Sequence, residues 1–133
     1  MSAGFPKGQK LPDLVVAPTA LQLFRYSAVT WNAHRVHYDE GWAKHEGHAG
    51  LLVHSHLHAA NALRAVTEGL GPDWRLVHVS YRIVRPSTAG RTLRATAEVT
   101  GVSDDGGELE LRLVEYDDGD MPCLEGTARA ARR

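Results

Sequence analysis

The stretch TWNAHRVHYDE, residues 30 to 40, gathers Asn32, His34, Arg35, His37 and Asp39 where a folding requirement alone would favour apolar residues. Imidazole is the side chain whose ordinary pKa lies nearest neutrality, so His37 is the leading candidate for a general acid/base. Asn32 lies five residues earlier. Its amide does not titrate, but it offers a donor and an acceptor with which to hold a water or a hydroxyl against His37. A second ingredient follows in GLLVHSHL. If Ser55 begins a helix as its N-cap, the first backbone N–H groups point out of the helix and can polarise a carbonyl oxygen. A base facing such an oxyanion site suits proton transfer at the carbon next to a thioester carbonyl.

The neighbouring residues carry competing readings. His34 is a backbone-bonding residue or a substrate contact. His54 and His58 stand four apart and could meet a metal on one helix face, but the glutamate of an H-E-x-x-H site is missing and no metal is expected. His45 and His48 in KHEGH read as solvated surface. Arg35, Arg82 and Arg85 are candidates for an anionic phosphate or a substrate carboxylate, set against the ordinary role of exposed arginine on strands.

These residues need elements to position them. The 133 residues suit one domain, spanning 1–133, and 43% apolar with 23% charged residues and a formal net charge of -1 suggest neither disorder nor a nucleic-acid-binding surface. Seven of the eight histidines fall between His34 and His58, which localises function. A lone Cys123 excludes an internal disulfide framework and fits a reducing compartment. With neither a signal-like N-terminus nor an apolar run of membrane-spanning length, a soluble, cytoplasmic protein is expected.

Residues 1 to about 18, punctuated by Pro6, Pro12 and Pro18, read as an extended lead-in. TALQLFRYS, Thr19 to Ser27, alternates like a strand with Leu21 and Leu23 on one face and Phe24 and Tyr26 on the other. Asp39 caps a short helix that stops near Gly47. LLVHSHLHAANALRAVTEGLG is the strongest helix, with Leu57, Ala60, Leu63, Val66 and Leu70 at helical spacing and Gly69 and Gly71 ending it. Three alternating segments follow, with Val77, Val79, Tyr81 and Ile83, then Leu93, Ala95, Ala97 and Val99, then Leu109, Leu111 and Leu113 on their inner faces. A last strand runs from about Pro122 to Ala131. Antiparallel strands and one long helix predict an α+β domain whose sheet wraps the helix, with open edges that favour dimerisation.

The run RYSAVTWNAHRVHYDEGWAKHEGHAGLLVHSHL resembles the hydratase motif of the MaoC-like hot-dog family, the (R)-specific enoyl-CoA hydratases and related 3-hydroxyacyl dehydratases. The family pattern S-G-D-x-N-P-[LIV]-H places the catalytic histidine on His37, the aspartate on Asn32, the motif asparagine on His34 and the proline on Arg35. The oxyanion glycine of G-x-x-x-H-G falls on Ser55. The string around Asn32 is similar to the TFN-x-HRIHYD signature of mesaconyl-C4-CoA and itaconyl-CoA hydratase-like proteins, the FAS1-like dehydratase subgroup, where asparagine at this position is compatible with activity. The likeness runs from about Leu11 through YRIVRPSTAGRTL.

The resemblance implies a hot-dog fold and a hydro-lyase that reversibly adds water to a 2-enoyl-CoA or carrier-protein thioester. His37, Asn32 and the Ser55 N–H would be catalytic; His34, Arg35, His54 and Arg85 would contact substrate. No cofactor is implied beyond the thioester itself. Members of the subgroup often carry two hot-dog halves, so this single half is expected to pair with its own copy or with a separate hot-dog subunit. Neither nucleic acid nor membrane is an expected partner. The alternative is a non-catalytic hot-dog subunit that binds a thioester or supports an active partner; a thioesterase would need a carboxylate such as Asp39 or Glu40.

Overall fold

The computed structural model describes residues 4–133. Its five strands are β1 (Leu14–Val16), β2 (Trp74–Ile83), β3 (Leu93–Val102), β4 (Glu108–Tyr116) and β5 (Pro122–Arg132). They form one antiparallel sheet in the order β1-β3-β4-β5-β2. Three helices, α1 (Ala20–Val29), α2 (Glu40–His45) and α3 (Ser55–Leu70), precede all strands but the first. The long α3 packs against the sheet, and the architecture is the α+β hot-dog arrangement expected. Among the described residues, no helix is long and apolar enough to cross a membrane.

Local chemistry accounts for the helix ends. Residues 19 to 27 are helical, not a strand. Thr19 Oγ1 accepts the Gln22 N–H at 3.1 Å, capping α1, and Leu23 and Ser27 are buried one helical turn apart. The apparent alternation fails because Leu21 and Phe24 both face outward. Asp39 caps α2 as expected, its Oδ1 accepting the Trp42 N–H at 3.0 Å, and Glu40 and Lys44 sit at the ends that the helix dipole favours. Ser55 is not the cap of α3 but its first helical residue. His54 occupies the cap position without a side-chain cap bond. Gly71, at φ +88°, ends α3; Gly69 lies inside the helix, where a Cβ would come within 2.9 Å of Leu11.

The buried stripe of α3 is rotated from the expected one. Leu57, Ala59, Ala62, Ala65, Val66 and Leu70 are buried, whereas Ala60 and Leu63 are half-buried. The small alanines let the helix sit close to Ala97, Val99, Leu111, Leu113 and Ala128 of the sheet. β3 and β4 present the expected inner faces. In β2 a bulge between Leu76 and His78 turns Val77 outward, and Leu76 joins Val79, Tyr81 and Ile83 against the core. A smaller apolar cluster of Leu23, Val53 and Leu57 packs under α1, beside the polar window. His58 and Glu115, both buried, pair with each other where α3 meets β4.

Candidate active site

The polar window is built on the segment that leaves α1. Trp31 takes a left-handed turn at φ 58°, and the Asn32 N–H returns to the Ser27 carbonyl at 2.8 Å. Asn32 Oδ1 then accepts the His34 N–H at 3.2 Å, which leaves the amide's Nδ2 as its unspent donor. A short 3₁₀ turn, Arg35–His37, delivers His37 inward.

His37 Nδ1 lies 2.7 Å from the Leu52 carbonyl. A carbonyl only accepts, so Nδ1 carries the proton and Nε2 keeps its lone pair for the cleft. Burial lowers the His37 pKa, the Leu52 carbonyl opposes that shift and His34 adds to it. The net shift is downward and favours the neutral ring, the form that can accept a proton.

Asn32, His37 and Ser55 line one cleft of about 550 Å³, which His34, His48, His54 and His56 also border. Ser55 is exposed at the first position of α3. The first α3 amides with partners are those of Leu57 and His58, both donating to the His54 carbonyl; the Ser55 and His56 amides have none among the described residues. The cleft therefore joins a neutral imidazole, an amide donor and open helix-terminal N–H groups. Such a set can move a proton to or from a carbon beside a carbonyl while holding the charge that develops on its oxygen.

The remaining expected residues fall in different places. His34 borders the cleft, edge-on to His37 at 5.9 Å, with its Nε2 3.5 Å from Glu46. Arg35 turns away: its guanidinium binds Asp39 at 2.8 Å and lies over the Trp42 ring at 4.4 Å. Arg85 is exposed on the chain that follows β2 and is not among the residues lining this cleft. His54 is only 2% exposed. It stacks on His37 with ring centroids 3.7 Å apart and bonds Ser27 Oγ through Nε2 at 2.8 Å.

Desolvation first, and then the neighbouring His37 and His56, bring the His54 pKa down to about 4. His54 and His58 thus turn to different partners, Ser27 and Glu115. His48, read from sequence as solvated surface, is half-buried and lines the cleft. Sequence reasoning also missed Ser27, whose only signal was helical: it falls one turn after Leu23 once α1 is recognised as a helix.

The fold is of the hot-dog class, and the family it belongs to is shown by sequence. The sequence profile of the family "Hydroxyacyl-thioester dehydratase type 2" matches residues 5–89, and the chain belongs to that family. Over 43 residues it is 56% identical to the mesaconyl-C(4)-CoA hydratase of Chloroflexus aurantiacus, a stretch that covers 32% of this chain and 15% of that protein. Among solved structures, the (R)-hydratase from A. caviae involved in PHA biosynthesis superposes with a TM-score of 0.92 at 20% identity, covering 99% of this chain and 100% of that one. A chain of the ChsH1-ChsH2 complex from Mycobacterium tuberculosis superposes with a TM-score of 0.85 at 22% identity, covering all of both chains. At these identities the superpositions speak to the fold.

Proposed function

We propose that this chain catalyses reversible hydration of a 2-enoyl thioester, with His37 as the acid/base. The observation that carries the reading is the orientation of His37, whose Leu52 bond leaves Nε2 as an acceptor in a cleft shared with Asn32 and the N-terminus of α3. Water held by Asn32 Nδ2 gives a proton to His37 Nε2 as its oxygen bonds to C3 of the enoyl group. The C2–C3 π electrons move toward the thioester oxygen, where the Ser55 N–H and the positive end of α3 stabilise the enolate. His37 then returns its proton to C2, so one water is added across the double bond and the base is regenerated. Dehydration is the same path reversed.

The substrate class follows from the family and from the mesaconyl-C(4)-CoA relative: an acyl-CoA or carrier-protein thioester. The lining of the cleft contains neither a carboxylate nor an arginine or lysine, so in this reading the proton is carried by His37 alone, and Asn32 only holds the water. That same lack favours a second reading, a thioester-binding subunit that supports a catalytic partner, and the similarity to a chain of a two-protein complex is consistent with it.

Loss of enoyl absorbance distinguishes the two readings. A panel of enoyl-CoA esters, one bearing a free carboxylate, is assayed with the pure protein and with His37→Ala. Turnover by the wild type and a loss of roughly 10²–10⁴-fold in the variant are expected. Binding of CoA esters without turnover would move the assignment to the supporting subunit.

A further inference from the structure

Ser27 stands on the last turn of α1, buried, with one polar end committed to Asn32 and the other to His54, the ring stacked on His37. Its carbonyl accepts the Asn32 N–H at 2.8 Å. Its hydroxyl lies 2.8 Å from His54 Nε2, and the His54 ring covers one face of His37 at a 17° interplanar angle. Among the described residues, the one hydrogen bond that ties the His37 ring is from Nδ1 to the Leu52 carbonyl. A single hydrogen bond leaves the imidazole free to rock about that contact, whereas a parallel ring packed on its face removes the motion.

His54 needs an anchor of its own. Its buried Nδ1 has no hydrogen-bond partner among the described residues, so Ser27 is the polar tether it has. Tyr26, edge-on at 4.7 Å, packs against it without bonding.

We propose that Ser27 is a positioning residue for the reaction: through His54 it orients the His37 ring, and through its main chain it places Asn32, so one helical turn registers base and amide together. This rests on the reading of His37 as the base. The groups facing His37 are His54 on its face, His34 at its edge, and Asn32, His48 and His56 around the cleft. No anionic side chain lines that cleft, so Ser27 has no carboxylate to substitute for it. A general base must present its lone pair within a few tenths of an ångström and about 10–20° of the productive geometry, which is what the tether supplies.

The test combines steady-state kinetics with ¹⁵N-histidine NMR on the intact protein. Ser27→Ala is expected to lower kcat roughly tenfold with KM within about twofold, the signature of lost positioning and not of lost substrate binding. In the free protein the His37 pKa is expected to rise toward its ordinary value as the ring loosens and water reaches it. His54→Phe keeps a flat ring on His37 but offers Ser27 no nitrogen. In that background Ser27→Ala is therefore expected to cost nothing further.

Unchanged kcat in Ser27→Ala, or the same loss with Phe at 54, would overturn the proposal. So would His37 resonances whose titration does not move. The NMR arm needs no substrate: a wild type that binds thioesters but turns none over fails the reading of this chain as a hydratase by itself, while the His37 titration still decides the role of Ser27.

Discussion

Individual residues in the cleft differ in what they can titrate, and pH separates their roles. His37 must be neutral to take a proton from water, and burial lowers its pKa below 6.5. The acid limb of the rate profile is therefore expected below pH 6.5, with activity lost as pH falls through the His37 pKa and retained above it. Asn32→Ala should lower kcat by about 10–100-fold while leaving that limb in place, because an amide carries no proton to lose. Asn32→Asp should add a second titration to the profile, visible as a changed slope. His54 supplies a stability counterpart. Its folded pKa of about 4 lies below the ordinary 6.5, so between those values the unfolded chain binds a proton that the folded chain refuses. Stability from this site is complete above about pH 6.5 and falls by roughly 2–3 kcal/mol as pH drops toward 4. Urea midpoints across that range should show the slope, and His54→Phe should flatten it.

The elements that carry these residues were legible to different degrees, and the reasons are physical. β3 alternates over Leu93 to Val99 and β4 over Leu109 to Leu113, because each covers the core with one face there, so these stretches could be phased from sequence. β2 was phased correctly over Val79, Tyr81 and Ile83 but not at Val77, since the bulge after Leu76 shifts the alternation there and no residue type announces it. α1 was misread because its ten residues carry few apolar side chains on the buried face and several outside. The Thr19 and Gln22 spacing of an N-terminal cap was the better signal. Thr19→Ala should accordingly cost about 1 kcal/mol in chemical denaturation, a cost that a strand at this position would not show. The His37 and Asn32 pair was legible because both belong to one short motif. Ser27 and the Leu52 carbonyl were not, because their contacts join segments that only folding brings together.

At the scale of the whole molecule, the sheet order leaves β2 on one edge with ten residues paired on one side only. An open strand of that length is a template for another chain. α1 and the turn after it add a second unsatisfied surface: Leu21, Phe24 and Val29 are exposed, and Trp31 is 93% exposed beside the cleft. Trp31, Phe24, Ala28 and Tyr38 line a shallow apolar groove that shares Asn32 with the candidate active-site cleft, so a neighbouring chain lying there would also border that cleft. We expect the purified chain to sediment at twice its 14.5 kDa mass. Val77, turned outward by the β2 bulge, offers a way to test which surface is used. Val77→Lys adds a charge to the open edge without entering the core, and should shift the protein toward the monomer if β2 pairs between copies. An unchanged mass in that variant would place the contact on the α1 face instead. A wild type that sediments as a monomer at micromolar concentration would mean that the edge is reserved for a different hot-dog chain, and turnover should then appear only when that chain is added.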